Sequence, residues 1–78
     1  MMEFGEAALR VLRDEARPLH WTVIQDLALR RGYLDPFVQR DIRKGIVRAL
    51  ADLARAGSLY RVDNGVYAFR ATPDGVGV

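Results

Sequence analysis

The 78-residue chain has no cysteine and only one serine, one histidine and one tryptophan. Without cysteine there can be no disulfide and no thiolate metal site, and one histidine cannot build a zinc site. No segment approaches the roughly 20 apolar residues of a membrane helix, and the first residues lack the order of a signal peptide. We expect no metal, no cofactor and no membrane partner, and we expect a cytoplasmic location.

Signatures of catalysis are also missing. Ser58 follows Gly57 in a predicted turn, and the chain has no G-x-S-x-G, no P-loop and no G-x-G-x-x-G motif. No pair of carboxylates is placed for acid and base chemistry, and a domain this small leaves little room for a substrate pocket. We therefore expect that the protein is not an enzyme.

The length allows one small domain. Hydrophobic residues make up 50% and charged residues 28% of the chain, the balance of an ordinary globular protein. Near the C-terminus, Pro73, Gly75 and Gly77 fall within a few residues of one another. We predict a folded domain over residues 1–71 and a flexible tail over 72–78.

Apolar spacing predicts a first helix over Phe4–Ala16, with one apolar stripe and with Arg10 and Arg13 facing water. Pro18 ends it and leaves residues 19–21 extended, in the form of a short strand.

The second helix is predicted to begin at Thr22, because Thr22 and Gln25 have the spacing of a capping box. It closes at Gly32, a residue that takes a left-handed backbone without strain. We expect Tyr33 and Leu34 to pack back on it.

Asp35 and Pro36 form a start signal for a third helix somewhere within residues 36–56. Its end is predicted at Gly57. Gly45 interrupts the pattern and leaves open a turn between two shorter helices. The predicted apolar stripe is Val38, Ile42, Ile46, Leu50 and Leu53, widened by Val47 and Ala54.

Residues 59–70 alternate apolar and polar side chains around Asn64-Gly65, which is typical of a hairpin with a type I′ turn. A two-residue loop would pair Asp63 with Val66, Val62 with Tyr67, and Tyr60 with Phe69. The predicted apolar face then holds Tyr60, Val62, Tyr67 and Phe69, and the opposite face holds Arg61, Ala68 and Arg70.

This element order predicts an α+β fold, a winged helix-turn-helix of three helices plus a C-terminal β-hairpin wing. In that architecture the third helix enters the major groove of DNA, and flanking basic groups neutralise phosphates.

Positive charge is concentrated where this fold would use it. The net charge is +2, but residues 30–48 alone sum to +4. Four-residue spacing places Arg40, Lys44 and Arg48 on one side of the third helix, with Arg43 and Arg55 nearby. The predicted DNA-binding residues are Arg40, Arg43, Lys44, Arg48, Arg61 and Asn64.

Each of these residues also has a structural explanation. The basic side chains could be a solvated helix face paired with Asp41 and Asp52, and the excess of arginine could reflect a GC-rich coding bias. Asn64 could serve only as a turn residue. For His20 and Trp21 we favour structural roles, with Trp21 packed at the junction of the first two helices and His20 bonded to a backbone group.

Several segments together resemble the HARE-HTH winged-helix family, which occurs in the delta subunit of bacterial RNA polymerase, in restriction-type proteins and in chromatin factors. The resemblance covers residues 7–70, its most specific piece is Pro18-Leu19-His20-Trp21, and it departs from the family between Tyr33 and Lys44. The matching segments are Ala7-Ala8-Leu9-Arg10-Val11-Leu12, Arg17-Pro18-Leu19-His20-Trp21, Ile24, Gly32, Leu59-Tyr60-Arg61-Val62 and Gly65-Val66-Tyr67-Ala68-Phe69. It implies a role around DNA or the transcription machinery.

Two functions follow as expectations. The first is a double-stranded DNA-binding module in transcription regulation or DNA restriction and modification, which would be associated with the nucleoid. The second is a protein-docking module, with RNA polymerase as an example of the partner, that uses the acidic surface of the first helix or exposed apolar residues such as Leu29, Tyr33 and Phe37. A homodimer is compatible with either function.

Overall fold

The computed structural model describes residues 1–69, so the predictions for Arg70, for the domain end at 71 and for a tail over 72–78 lie outside the described residues. In chain order the elements are α1 (Phe4–Glu15), β1 (Leu19–His20), α2 (Trp21–Arg30), α3 (Ile42–Arg55), β2 (Tyr60–Asp63) and β3 (Val66–Ala68). The described chain is thus α+β, with three helices and a three-stranded antiparallel sheet whose hairpin follows the helices. This architecture confirms the predicted fold class and is compatible with a winged helix.

The hydrophobic core takes side chains from helices and sheet together. Its fully buried members include Leu12 of α1, Ile24 of α2, and Ile46 and Leu50 of α3. Leu19 in β1 and Tyr67 in β3 join the same cluster, so the sheet packs on the helices. Within residues 1–69, none of the helices is long and apolar enough to cross a membrane.

The sheet joins the segment before α2 to the C-terminal hairpin. Its strand order is β1-β3-β2, with Leu19 opposite Tyr67 and His20 opposite Val66. The ladder continues past β1, because the Trp21 N–H donates to the Gly65 carbonyl at 2.9 Å. The start of α2 therefore lies against the hairpin turn.

The predicted start of α2 is wrong by one residue, and the cap is a different side chain. The helix begins at Trp21, and His20 Nδ1 accepts a hydrogen bond from the Thr22 N–H at 3.2 Å. Pairing of His20 in the sheet fixes its extended backbone, and the imidazole then reaches an N–H of the first turn that is otherwise unpaired within the helix. The predicted end is confirmed, since Gly32 is left-handed and the Tyr33 N–H bonds to the Ala28 carbonyl.

The start of α3 at Ile42 is later than the Asp35-Pro36 signal suggested. Asp35 does accept from the Phe37 N–H at 2.9 Å, but it closes only a short turn, in which the Gln39 N–H bonds to the Asp35 carbonyl. Asp41 then adopts a left-handed backbone, φ 51°, which separates this turn from the helix. The helix runs unbroken through Gly45.

The hairpin register differs from the two-residue prediction beyond its first pair. Asp63 faces Val66 as predicted, but Arg61 faces Tyr67 and Tyr60 faces Ala68, because a β-bulge adds Val62 to β2. A shift of one residue exchanges the two faces of a strand. The predicted apolar face is confirmed only in part, since Tyr67 is buried but Tyr60 is 48% exposed, and Ala68, predicted on the opposite face, is buried.

The turn itself is not type I′. That type needs a positive φ at both central residues, whereas in this turn Gly65 has a φ of 72° and Asn64 is not left-handed.

Candidate nucleic-acid interface

The outward face of α3 presents basic side chains. Ile46 and Leu50 are buried in the core, which turns Lys44 and Arg48 toward solvent one helical turn apart. Arg43 is also exposed and lies at the edge of α3 that approaches the start of α2. These three predicted site residues therefore form a short ridge on the N-terminal half of the helix.

Arg40 is not part of this ridge, contrary to the four-residue pattern. It precedes the helix by two residues and is separated from it by the left-handed Asp41. Residues four apart share a face only within a continuous helix, so Arg40 is not aligned with Lys44. Arg40 is exposed in the segment that connects α2 to α3.

Ion pairing divides the basic residues into two groups. Five arginines contact carboxylates, and each of these pairs lies outside the ridge. They are Arg10 with Asp14, Arg17 with Glu15, Arg30 with Asp26, Arg31 with Glu15, and Arg55 with Asp52. Among the described residues, no carboxylate forms an ion pair with the remaining cations, which are Arg13, Arg40, Arg43, Lys44, Arg48 and Arg61.

Of the ion pairs that the structural explanation expected on this helix, the described residues form one. Asp52 pairs with Arg55, as that explanation required, but Asp41 forms no ion pair with a described residue. Lys44 and Arg48 keep their charge available to an anion. This is the electrostatic arrangement that a phosphate-binding helix requires.

The hairpin adds a second basic element. Arg61 Nη2 donates to Asn64 Oδ1 at 3.2 Å, and the Asn64 N–H donates to Asp63 Oδ1 at 2.7 Å. Asn64 is thus a turn residue whose amide oxygen also holds the Arg61 guanidinium across the turn. Both side chains are exposed, so the wing presents one cation in a restrained position.

Trp21 connects the ridge to the wing, a role that the sequence analysis missed. The Arg43 Cζ atom lies 5.5 Å from the centroid of the Trp21 ring, while the Trp21 backbone bonds to Gly65. The half-buried indole packs on the core, as predicted, but the contacts with Arg43 and Gly65 are to α3 and the hairpin turn, whereas the prediction placed Trp21 at the junction of α1 and α2. No local pattern links positions 21, 43 and 65, so only the rarity of tryptophan singled this residue out.

His20 completes the junction. Its ring lies 5.5 Å from the Trp21 ring, and its bond to the Thr22 N–H confirms the predicted contact with a backbone group. A Cβ at Gly65 would lie 2.9 Å from His20 Nε2 and 3.2 Å from Trp21 Cδ1. Close approach of both rings and a positive φ therefore require glycine at this turn.

The ion pair between Glu15, at the end of α1, and Arg31, after the end of α2, shifts the pKa of both groups. A hydrogen bond from Arg31 to Glu15, 2.5 Å long, lowers the pKa of the Glu15 carboxyl, and the charges of Arg31 and Arg17 act in the same direction. Partial burial of the carboxylate opposes them. The same hydrogen bond raises the pKa of Arg31. This pair joins the two helices and takes no part in the ridge.

The arrangement can bind an extended anion along two lines of contact. On α3, Lys44 supplies an ammonium group and Arg48 a guanidinium group. Arg61 supplies a second guanidinium from the wing. Within residues 1–69, no cluster of three or more His, Asp or Glu side chains could hold a metal ion. We call Arg43, Lys44, Arg48, Arg61 and Asn64, joined through Trp21, the basic surface.

No known protein family, curated protein or solved structure matches the chain. The resemblance to the HARE-HTH family therefore stays a prediction from the residues quoted above.

Proposed function

We propose that this chain is a double-stranded DNA-binding winged-helix module that acts in transcription regulation or in DNA restriction and modification. The observation that carries the proposal is a concentration of cations on the N-terminal half of α3 and on the wing that form no ion pair with a described carboxylate. Five arginines elsewhere in the described chain do form such pairs. The HARE-HTH resemblance supports the same function. Such a protein would act in the cytoplasm, on the nucleoid.

The two halves of the basic surface have different tasks in this proposal. An α-helix fits the major groove, so α3 would bring Lys44 and Arg48 to phosphates and base edges. The wing would place Arg61 and Asn64 on a neighbouring phosphate or in the minor groove. Arg40, outside α3, would add a phosphate contact from the connecting segment.

The salt dependence of binding tests this proposal. We expect micromolar binding of a labelled random-sequence duplex, measured by fluorescence anisotropy at several salt concentrations. Neutralisation of four to six phosphates gives a slope of log K against log salt of about −4 to −5. Arg48→Ala should make that slope shallower by about one unit.

A matched pair of triple variants separates the basic surface from net charge alone. R43Q/K44Q/R48Q and R10Q/R17Q/R30Q each remove three positive charges, but the second set removes arginines that are already paired on α1, on α2 and between them. We expect the first variant to lose most duplex binding and the second to keep most of it. Equal losses, or full binding by the first variant, would contradict the proposal.

A second candidate function, protein docking, is favoured by one specific observation. Phe37 is 98% exposed and Val38 is 61% exposed, in a turn that hydrogen bonds hold in place. Gln39 Nε2 donates to the Met2 carbonyl at 3.0 Å, which brings the exposed Met1 into the same region. An ordered apolar patch of this kind is typical of a contact for another protein.

Two variants distinguish docking from DNA binding. F37S/V38S should abolish binding to a protein partner such as RNA polymerase in a pull-down with purified polymerase, and should leave duplex affinity unchanged. Y60S, at an exposed aromatic residue of β2, is the control for loss of apolar surface. Sedimentation of the same proteins tests whether the patch instead mediates a homodimer.

A further inference from the structure

Arg43 differs from the other cations of the basic surface because an aromatic ring holds it. Its Cζ atom lies 5.5 Å from the centroid of the Trp21 indole, within the range of a cation–π interaction. Lys44 and Arg48 have no such partner among residues 1–69. Three cations that are neighbours on one helix are therefore restrained to different degrees.

Three contacts hold Trp21, one through its backbone and two through its ring. The Trp21 backbone N–H bonds to the Gly65 carbonyl at 2.9 Å, its ring contacts the hydrophobic core, and the His20 ring lies 5.5 Å away. A side chain anchored in this way has little rotamer freedom left to lose on binding. It can act as a rigid support for a flexible arginine.

Contact with a ring does not consume the donors of a guanidinium. The N–H groups lie at the edge of the planar group, so a guanidinium over an indole can still bind a phosphate with two parallel hydrogen bonds. Restraint before binding lowers the entropy lost when the phosphate contact forms. The position of Trp21 between α3 and the wing turn also fixes where that phosphate must lie.

We propose that Trp21 is a positioning residue, which holds the Arg43 guanidinium between α3 and the wing turn for contact with a DNA phosphate. This inference rests on the proposed DNA-binding function and deepens it. According to this proposal, Trp21 affects the affinity for DNA only through Arg43.

A double-mutant cycle on duplex binding tests this dependence. We expect W21L to weaken binding by about two- to fivefold, the factor of an exposed cation–π interaction. In the R43Q background the same substitution should have no effect, because no guanidinium remains to be positioned. W21F keeps an aromatic face and should restore most of the affinity that W21L loses.

The free protein gives an independent reading of the pair. The chain has one tryptophan, so its fluorescence reports on Trp21 alone. R43Q should change the indole emission and its quenching by acrylamide, whereas R48Q, which removes a cation with no described aromatic partner, should leave both as in the unmodified protein. R43K, which retains the charge, should lie closer to the unmodified protein than R43Q does.

The outcomes separate the two proposals. Duplex binding in which W21L and R43Q act additively, or free-protein emission that is the same in R43Q and R48Q, overturns the positioning role and leaves DNA binding intact. If the unmodified protein binds no duplex at low salt, the proposed function fails, and the role of Trp21 fails with it. If W21L does not fold, the free-protein emission still tests the pair, because R43Q and R48Q both keep Trp21: a change in R43Q alone supports the positioning role, and equal emission overturns it.

Discussion

Ala16 ends α1 with a left-handed backbone, φ 56°, where the other two helices are followed by a left-handed glycine. Gly32 and Gly57 take that conformation after α2 and α3 without cost, whereas a Cβ in it costs about 1–2 kcal/mol. Pro18, two residues further on, stops the helix but does not relieve this strain. Ala16 is exposed, so its methyl group makes no core contact in return.

Ala16→Gly should therefore stabilise the protein. We expect the free energy of unfolding to rise by about 0.5–1 kcal/mol, because the relief of strain exceeds the extra entropy of glycine in the unfolded chain. Urea unfolding followed by circular dichroism measures it.

Ala56→Gly is the matched control, since Ala56 is exposed after α3 with an ordinary right-handed backbone, φ −77°. It should lower stability by about 0.5–1 kcal/mol. A shift of both variants in the same direction would contradict the assignment of strain to Ala16.

Gly45 shows how packing between helices can override helix propensity. In an exposed helix, Gly→Ala stabilises by about 1 kcal/mol. A Cβ at Gly45, however, would lie 2.6 Å from two ring carbons of Phe4 and closer still to a third. The missing side chain is what allows the N-terminal end of α1 to approach α3.

We expect Gly45→Ala to lower the free energy of unfolding by about 1–3 kcal/mol, the range for overpacking. In a Phe4→Ala background the clash is absent, and the same substitution should instead raise stability by about 1 kcal/mol. Chemical unfolding of the four proteins measures this reversal of sign. Destabilisation of equal size in both backgrounds would rule out the Phe4 ring as the cause.

The contact between Glu15 and Arg31 makes the α1–α2 junction sensitive to acid. The folded state lowers the pKa of Glu15 through the Arg31 hydrogen bond. Folding therefore favours the carboxylate, and the resulting stability is present above the unfolded pKa of about 4.3 and is lost as pH falls through the lower folded pKa.

The unmodified protein should be more stable than E15Q at pH 7, and the difference should shrink as pH falls below about 4. Urea unfolding at several pH values measures this. In R31Q most of the pH-dependent difference should disappear, because the principal partner is gone. An undiminished pH dependence in R31Q would show that another group is responsible.

The elements that local chemistry determines were predictable. The apolar stripe of α1, the glycine that closes α2 and the order of helices before hairpin all depend on residues close in sequence. The start of α3 was not predictable, because Asp35-Pro36 is a local signal for the start of a helix but begins only a single turn here. The bulge at Val62 was missed because only packing of the whole sheet decides that register.

The candidate site, too, was predictable only where it depends on local sequence. Exposure of Arg43, Lys44 and Arg48 follows from helical periodicity, which requires no tertiary information. Two further features depend on side chains from different elements: the lack of an ion pair between these cations and any described carboxylate, and the support of Arg43 by Trp21. Sequence patterns carry little information about such contacts.

At the scale of the whole molecule, the described residues form one hydrophobic core, which the wing shares with the helices. Tyr67 and Ala68 of β3 are buried, and Leu19 of β1 packs in the same cluster as Leu12 and Leu50. The hairpin is therefore a structural part of the domain as well as a candidate contact for DNA. A domain of this size leaves no second core on which the helices could fold alone.

We expect the wing and the helices to unfold in a single transition. Circular dichroism at 222 nm reports on the helices, and Trp21 fluorescence reports on the junction of α2 with the hairpin turn. A shared core makes partial unfolding costly, because loss of the hairpin would expose Leu19 and Leu59. The two signals should have the same urea midpoint in the unmodified protein. Loss of the fluorescence signal at a lower urea concentration than the helical signal would show that the wing opens separately, and the basic surface would then be assembled only in part of the population.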